Sequence, residues 1–270
     1  MNHAQRGILS LILEVSANPK PGNVDREHEF KDLRYEHFII SAIAVYPIFE
    51  DCVNRRGSIG INFFKAVEKS YKICKTNVHF GAFFLLIPLI WCKGNVKLVK
   101  AELKKTTYHD SIAVLNAFRM CKPRVIDVDY LSLKENIEKE LIDKEINLYN
   151  WLLKSPEENV VAREIVEGYW RCLEGSKVLI ESYKEFKELN YAIVYTYLFL
   201  MSKYLDPLII AKHGRKVAED VRIKAGEILD DFNIDNVRKF DEELLTKNIN
   251  PGSIADLTCA SIYLSLGEIV

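Results

Sequence analysis

Side chains that can bind phosphate or a metal ion concentrate in four short segments of this chain, residues 18–27, 75–81, 206–214 and 248–257. Lysine, arginine and the free N–H groups at helix N-termini bind phosphate, and carboxylate and amide oxygens suit Mg²⁺. Each segment taken alone is also typical of a capped helix junction. The sequence therefore predicts a phosphate-binding site only if the four segments meet at one cleft.

Several other classes of site are not supported by the sequence. It contains neither GxxxxGK[ST] nor GxGxxG, and its six cysteines form no CxxC or Cys/His cluster. Scattered cysteines of this kind favour buried, reduced thiols in a cytoplasmic protein rather than zinc or disulfide frameworks. A net charge of −1 gives no overall basic field that would attract nucleic acid.

The elements that must position the four segments are predicted to be helices. Apolar residues recur at helical spacing in 8–15, 38–52, 63–70 and further stretches toward the C-terminus. The segment 80–91 is apolar on all sides, which predicts a central helix, kinked or broken at Pro88. This apolar segment is too short for a membrane span. The N-terminal residues of the sequence lack the features of a signal peptide. No linker or repeat interrupts residues 1–270, so we expect one all-α domain, a multi-helix bundle.

Two further predictions concern the middle of the chain. The run from Pro156 to Tyr183 is expected to be one long helix, with Ser155 as its N-cap. The segment 125–130, VIDVDY, is the one weak candidate for a β-strand.

The four segments also resemble the motifs of a known family. PKPGNV (19–24), followed by Arg26, is similar to the N-terminal signature of the triphosphoribosyl-dephospho-CoA synthases. TNVHFGAFFLLIPL (76–89) resembles that family's Asn-Thr-His-Lys-Gly-Ala motif and the apolar helix after it. DPLIIAKHG (206–214) and NPGSIADLTCASIYL (250–264) resemble its Asp-Thr-Leu-Ile-Ala-Arg-Lys-His-Gly and Asn-Pro-Gly-Thr-x-Ala-Asp-Leu segments. HDSIAVLNAFR (109–119) matches more loosely, and the matches occur in the family's order along nearly the whole chain.

The resemblance implies an all-helical fold and a transfer reaction between two nucleotides. The 5-triphosphoribosyl group of ATP passes to the 2'-hydroxyl of 3'-dephospho-CoA, and adenine leaves. Such a reaction passes through an oxocarbenium-like centre that a carboxylate stabilises, and the triphosphate is expected to require Mg²⁺. ATP and dephospho-CoA, or a related acceptor, are thus the expected small-molecule partners, with neither nucleic acid nor membrane, and homo-oligomerisation is left open.

The same resemblance assigns roles to individual residues. The catalytic candidates are Asp256, Asp206 and His79, and the two aspartates are also the expected Mg²⁺ ligands. The residues expected to bind the nucleotide are Lys20, Gly22, Asn23, Arg26, Asn77, Lys212 and Gly252.

Four residues have weaker assignments. Asp110 and Arg119 are second-rank candidates for the same site. His213 is either an acid–base group or an exposed histidine at a helix start. Glu14 either faces the loop after the first helix or is a surface carboxylate.

Some positions depart from the family pattern. Phe80 stands where the bacterial enzymes have lysine, and Pro207 and Ala211 replace threonine and arginine. The segment 121–130 contains no glycine, although the family is usually glycine-rich there. These departures leave two alternatives: a divergent relative that binds a nucleotide or a protein without catalysis, and an all-α scaffold whose polar segments are only caps.

Overall fold

The computed structural model describes residues 1–123 and 136–269, and this part of the chain is all-α. Its first eight helices are α1 (His3–Ser16), α2 (Tyr35–Ala44), α3 (Tyr46–Val53), α4 (Ile59–Cys74), α5 (Phe80–Trp91), α6 (Val96–Lys104), α7 (Tyr108–Cys121) and α8 (Ile137–Asp143). The other eight are α9 (Leu148–Leu152), α10 (Val160–Glu167), α11 (Trp170–Phe186), α12 (Leu189–Lys203), α13 (Pro207–His213), α14 (Arg215–Asp230), α15 (Ile234–Thr246) and α16 (Gly252–Ile269). No strand occurs within these ranges, which confirms the predicted fold class; the candidate strand 125–130 lies outside them.

Two helices form the centre of the bundle. All residues of α5 from Ala82 to Trp91 are buried, and α5 packs against α1, α3, α4, α6, α10 and α16. The last helix, α16, packs in turn against α1, α5, α10, α11, α12 and α13. A helix that is apolar on all sides is stable only when other helices cover every side of it. The composition of α5 therefore explains its position at the centre of the bundle. It continues through Pro88 and ends at Trp91.

Two of the predicted helix boundaries are wrong. The apolar stripe 38–52 belongs to two helices, because Pro47 at the start of α3 disfavours helical continuation from α2. The long helix expected from Pro156 begins at Val160 instead, with the Asn159 side chain accepting from the Ala162 N–H at 3.4 Å. That run is also divided at Gly168, whose φ of +93° ends α10.

The irregular segment 17–34 connects α1 to α2 and is held by a small core of its own. Val15, Val24, Phe38, Cys74 and Val78 form this core, separate from the main one. It ties the loop after α1 to α2 and to the junction between α4 and α5. Two of the four polar segments are thereby fixed against each other by apolar packing.

Within the described ranges, no single helix is both long and apolar enough to span a membrane. Two helix pairs reach the required length and composition only together, across bends of 96° between α5 and α6 and 60° between α12 and α13.

Candidate functional site

All four polar segments contribute to the walls of one cleft with a cavity volume of about 270 Å³. Asn23 comes from the loop after α1, Asn77 and His79 precede α5, and Leu208 lies in α13. The start of α16 contributes a further wall, which includes Asn250, Gly252, Ser253 and Asp256. The loops at the two ends of the sequence are also joined directly, because the Asn23 amide Nδ2 donates to Asn250 Oδ1 at 3.3 Å.

Asp256 places a carboxylate in the cleft at the N-terminus of α5. Its carboxylate approaches Gly81 so closely that a Cβ added there would overlap Asp256 Oδ2. Burial raises the pKa of Asp256 well above its ordinary value, and the nearby carboxylates of Glu14 and Asp206 raise it further, while the Ala82 backbone N–H favours the charged form. Asp256 is half-buried and lines the cleft. A poorly solvated carboxylate of this kind is suited to accept a proton or to stabilise developing positive charge.

His79 is a buried, neutral imidazole in the cleft wall. Its Nδ1 lies 3.1 Å from Ser41 Oγ, which in turn contacts Ser70 Oγ at 2.7 Å. Its Nε2 has no hydrogen-bond partner in the protein. Burial lowers the pKa of His79 to about 3, with a further contribution from the Lys20 ammonium. The ring therefore offers the cleft a neutral hydrogen-bonding nitrogen at physiological pH.

Glu14 lines the cleft, and its partner Lys20 lies behind it. The Lys20 ammonium is fully buried, forms an ion pair with the Glu14 carboxylate and donates to the Glu14 backbone carbonyl at 3.0 Å. Burial raises the pKa of Glu14, and the Lys20 charge opposes that effect. Of the alternatives left open for Glu14, the structure shows a buried carboxylate that faces the site.

Asp206 does not line the cleft, although it belongs to one of the four segments. Its Oδ1 accepts from the backbone N–H groups of Leu208 at 2.7 Å and Ile209 at 3.2 Å, capping α13. Its Oδ2 accepts from the Ile254 N–H at 2.9 Å, in the first turn of α16. Burial raises the pKa of Asp206 to about 6, against these backbone hydrogen bonds, which lower it. One carboxylate thus fixes two helix starts relative to each other.

Four of the residues assigned to nucleotide binding lie behind or beside the cleft wall. The Gly22 N–H donates to Asp241 Oδ1 at 2.8 Å, and Lys212 Nζ donates to the Asn248 carbonyl at 3.0 Å. Arg26 is exposed, and Lys20 is paired with Glu14 as described above. By contrast, Asn23, Asn77, His79, Gly252 and Asp256 all line the cleft.

The second-rank candidates are also outside the cleft wall. Asp110 caps α7 and accepts from the Gly60 N–H at 2.8 Å, so it joins α7 to α4. Arg119 forms an ion pair with Glu138 of α8. The His213 ring lies 3.0 Å from the Asn248 carbonyl, beside Lys212.

The other half of the cleft is aromatic and apolar, which none of the sequence motifs predicts. Phe80 packs against Phe118 with ring centroids 4.8 Å apart, and Phe118 lies 6.5 Å from Trp151. These rings line the cleft together with Phe84, Val114, Leu152, Val161 and Ala162. In the sequence such residues are indistinguishable from core residues of the helices that carry them. The only available signal was Phe80, which follows the motif histidine directly.

The residues that line the cleft fit a magnesium ion in part. Mg²⁺ binds through one or two carboxylates together with substrate phosphates. Asp256 offers such a carboxylate in the cleft, whereas both oxygens of Asp206 already accept backbone N–H groups. The role of Asp206 as a metal ligand remains a prediction from the sequence. In this structure its oxygens accept the backbone N–H groups of α13 and α16 instead.

Comparison with known proteins identifies the family. A family model described as ATP:dephospho-CoA triphosphoribosyl transferase matches residues 1–269. A candidate 2-(5''-triphosphoribosyl)-3'-dephosphocoenzyme-A synthase of Streptococcus equi subsp. equi is 24% identical, and the match covers 96% of this chain and 94% of that relative. A Streptococcus pyogenes relative of the same description is 23% identical over 98% of this chain and 96% of its own length.

A solved structure supports the same conclusion. The crystal structure of a candidate triphosphoribosyl-dephospho-CoA synthase from Archaeoglobus fulgidus is 37% identical and superimposes with a TM-score of 0.72. The match covers 86% of this chain and 99% of that one. This chain belongs to the ATP:dephospho-CoA triphosphoribosyl transferase family.

Proposed function

We propose that this protein transfers the 5-triphosphoribosyl group of ATP to the 2'-hydroxyl of 3'-dephospho-CoA, or of a closely related acceptor, and releases adenine. The C1'–N9 bond of ATP breaks with its electron pair on adenine, and a bond forms between C1' and the acceptor oxygen. The hydroxyl proton is removed and adenine takes up a proton, so the reaction is balanced without a redox partner. The observation that carries this proposal is the meeting of all four family segments at one cleft that contains Asp256.

The polar half of the cleft is suited to the triphosphoribosyl group. Helices α5 and α16 both begin at its wall, and the partial positive charge at a helix start favours anionic oxygens. Asn23, Asn77 and Asn250 supply side-chain amides on the same wall. We infer that these groups hold the phosphate and ribose oxygens, while Lys20 acts from behind through its ion pair with Glu14.

Asp256 is the group best placed to act on the reacting ribose. Its carboxylate is poorly solvated, so its interaction with positive charge is stronger than that of an exposed carboxylate. We assign it to the stabilisation of the developing oxocarbenium ion or to removal of the acceptor proton. His79 supplies a neutral nitrogen that can hydrogen-bond a sugar hydroxyl, because its low pKa excludes the imidazolium form at neutral pH.

Mg²⁺ is the expected cofactor, and Asp256 is the residue on the cleft wall that would hold it together with substrate phosphate oxygens. When bound, the ion neutralises negative charge on the triphosphate. The chain's own residues then orient the ribose and exclude water from C1'.

The aromatic half of the cleft is suited to a planar base. Phe80, Phe118 and Trp151 offer faces and edges against which an adenine ring can pack. Apolar surroundings also exclude water, which competes with the acceptor hydroxyl for C1'. Phe80 thus provides aromatic surface at the position where the bacterial enzymes have a lysine.

The experiment that tests this function measures adenine release. We expect the protein, incubated with ATP, Mg²⁺ and dephospho-CoA, to release free adenine, detected by chromatography, in an amount that matches the triphosphoribosylated product. Absence of adenine, combined with a melting temperature that ATP and Mg²⁺ leave unchanged, would contradict the proposal. Stabilisation by ATP without turnover would support the alternative of a non-catalytic nucleotide-binding relative, which the family match does not favour.

We also propose a cytoplasmic location. All six cysteines are free thiols, as is usual in a reducing compartment.

A further inference from the structure

A second group of chemically reactive side chains lies outside the cleft wall, where the loop after α1 meets α15. Asp25 and His28 belong to the loop, and Asp241 belongs to α15. One ligand atom from each residue lies within 4.8 Å of the other two. Among the described residues, this is the one group of three or more His, Cys, Asp or Glu side chains close enough to share a metal ion. None of them has a role in the function proposed above.

The distances within this group match those between ligands of a single ion. His28 Nδ1 lies 2.8 Å from Asp241 Oδ2 and 3.7 Å from Asp25 Oδ1. Ligand atoms about 2.1 Å from a common metal ion are roughly 3.0 Å apart at a right angle and roughly 3.4 Å apart at a tetrahedral angle. The two measured distances therefore bracket the spacing that one ion imposes.

The orientation of the groups gives independent support. Asp241 is fully buried, and its Oδ2 has no hydrogen-bond partner in the protein, although its Oδ1 accepts from the Gly22 N–H at 2.8 Å. His28 Nδ1 also lacks a hydrogen bond in spite of its short distance to that oxygen. A buried carboxylate oxygen whose one close partner is an imidazole nitrogen without hydrogen-bond geometry is incompletely satisfied, and a cation bound by both atoms would satisfy it.

The charges of the group also favour a cation. Two buried carboxylates, Asp25 and Asp241, face one imidazole. Asp25 Oδ1 also accepts from the Glu27 and His28 N–H groups at 2.8 Å, so Asp241 Oδ2 and His28 Nδ1 are the primary ligand atoms and Asp25 completes the set. Arg238, the nearby cation of α15, is occupied by Glu27 at 2.7 Å. The His28 side chain is 34% exposed, which leaves a route for an ion from solvent.

We propose that Asp25, His28 and Asp241 form a binding site for a first-row divalent transition-metal ion, with Zn²⁺ as the reference case. One imidazole nitrogen with two carboxylate oxygens is a donor set that suits Zn²⁺, Mn²⁺ or Co²⁺ more than the all-oxygen ligands that Mg²⁺ and Ca²⁺ prefer. Three protein ligands also leave a coordination position open to water.

Such an ion would clamp the loop after α1 onto α15. Asp25 Oδ2 accepts from the Lys20 N–H at 3.1 Å, and Asp241 Oδ1 accepts from the Gly22 N–H, so both carboxylates already hold the loop on either side of Pro21. Asn23, which lines the cleft, is the next residue along. The site would therefore be structural, and it would hold one wall of the cleft from outside.

The test is a titration of the metal-free, tag-free full chain with Co²⁺ and with Zn²⁺. Co²⁺ bound by nitrogen and oxygen ligands absorbs visible light, and Zn²⁺ should remove that absorption by displacement. We expect one Co²⁺ per chain with micromolar or tighter affinity, a binding-dependent rise in melting temperature, and no displacement by excess Mg²⁺.

Matched variants identify the ligands. His28→Ala, a change of a half-exposed loop residue, should weaken binding at least tenfold, and Asp241→Asn should do the same while its amide oxygen keeps the Gly22 hydrogen bond. His109→Ala, which removes an exposed histidine on α7, should bind as the unaltered protein does. Equal affinity in the His28→Ala variant, or an affinity of the unaltered protein weaker than about 1 mM, would overturn the proposal and leave an ion pair between His28 and the two aspartates.

Discussion

Asp206 and Asp256 belong to two neighbouring helix starts, and the structure uses them in different ways. Asp206 directs both carboxylate oxygens at backbone N–H groups, two in α13 and one in α16. Asp256 lies one turn inside α16, and its carboxylate faces the cleft beside Gly81. Asp206 is buried and Asp256 half-buried, and both belong to motifs of the same family, yet only Asp256 has an oxygen available to a ligand on the cleft wall. Membership of a motif therefore does not by itself separate a group that acts on substrate from a group that holds the site together.

The largest expected effect is the loss of activity on removing the charge of Asp256. Asp256→Asn keeps the size of the side chain but removes the negative charge available to the reacting ribose. We expect the rate of adenine release to fall by about 10²–10³-fold, the usual size of such an electrostatic contribution. The melting temperature should change little. Activity within threefold of the unaltered protein would remove Asp256 from the reaction.

The same comparison predicts the reverse result for Asp206. Asp206→Ala leaves the N–H groups of Leu208 and Ile254 without their acceptor and removes the cap of α13. We expect the free energy of unfolding to fall by about 2–4 kcal/mol, measured by denaturant titration. The activity per folded molecule should be largely retained below the new melting temperature. A stable but inactive variant would instead place Asp206 among the catalytic residues, as the sequence predicts.

The helices that carry these groups were largely predictable from sequence, because apolar periodicity is a local property. The uniform apolarity of 80–91 indicated the central helix directly. Boundaries were less predictable where local signals competed. Ser155 and Pro156 resemble a helix start, but Asn159 provides the cap.

The site itself could be predicted only in part. The family resemblance correctly indicated which segments meet, because sequence motifs can be recognised without knowledge of the three-dimensional structure. It could not indicate that Lys20 turns back to Glu14, or that Asp206 caps two helices, since these roles depend on side-chain direction. The group Asp25, His28 and Asp241 was missed because Asp241 lies more than 200 residues from Asp25 and His28 along the chain.

A smaller effect is expected from crowding Asp256 without changing it. Gly81→Ala places a methyl group within the volume of the Asp256 carboxylate and must displace it. A displacement of about 1 Å near the reacting atoms can lower the rate by about 10–100-fold. Gly226→Ala is the matched control, because a Cβ there meets only Ser202 Cβ at 3.9 Å, and its activity should be unchanged. Equal activities of the two variants would show that the position of the Asp256 carboxylate is not critical.

A pH dependence of stability is expected to distinguish His79, at the start of α5, from His213, at the end of α13. His79 is buried with a pKa lowered to about 3, whereas in the unfolded chain it titrates near its ordinary value of 6.5. Above pH 6.5 both states are neutral and the full stability is present; as pH falls, the unfolded state binds the proton first, so stability is lost from about pH 6.5 down to about pH 3. We expect a slope of roughly 1 kcal/mol per pH unit within that window, measured by urea unfolding. His79→Gln should reduce the slope, and His213→Gln, at the half-exposed end of α13, should leave it unchanged. If the His79→Gln variant kept the full slope, the acid sensitivity would belong to other groups, and the imidazole would not be held neutral by burial.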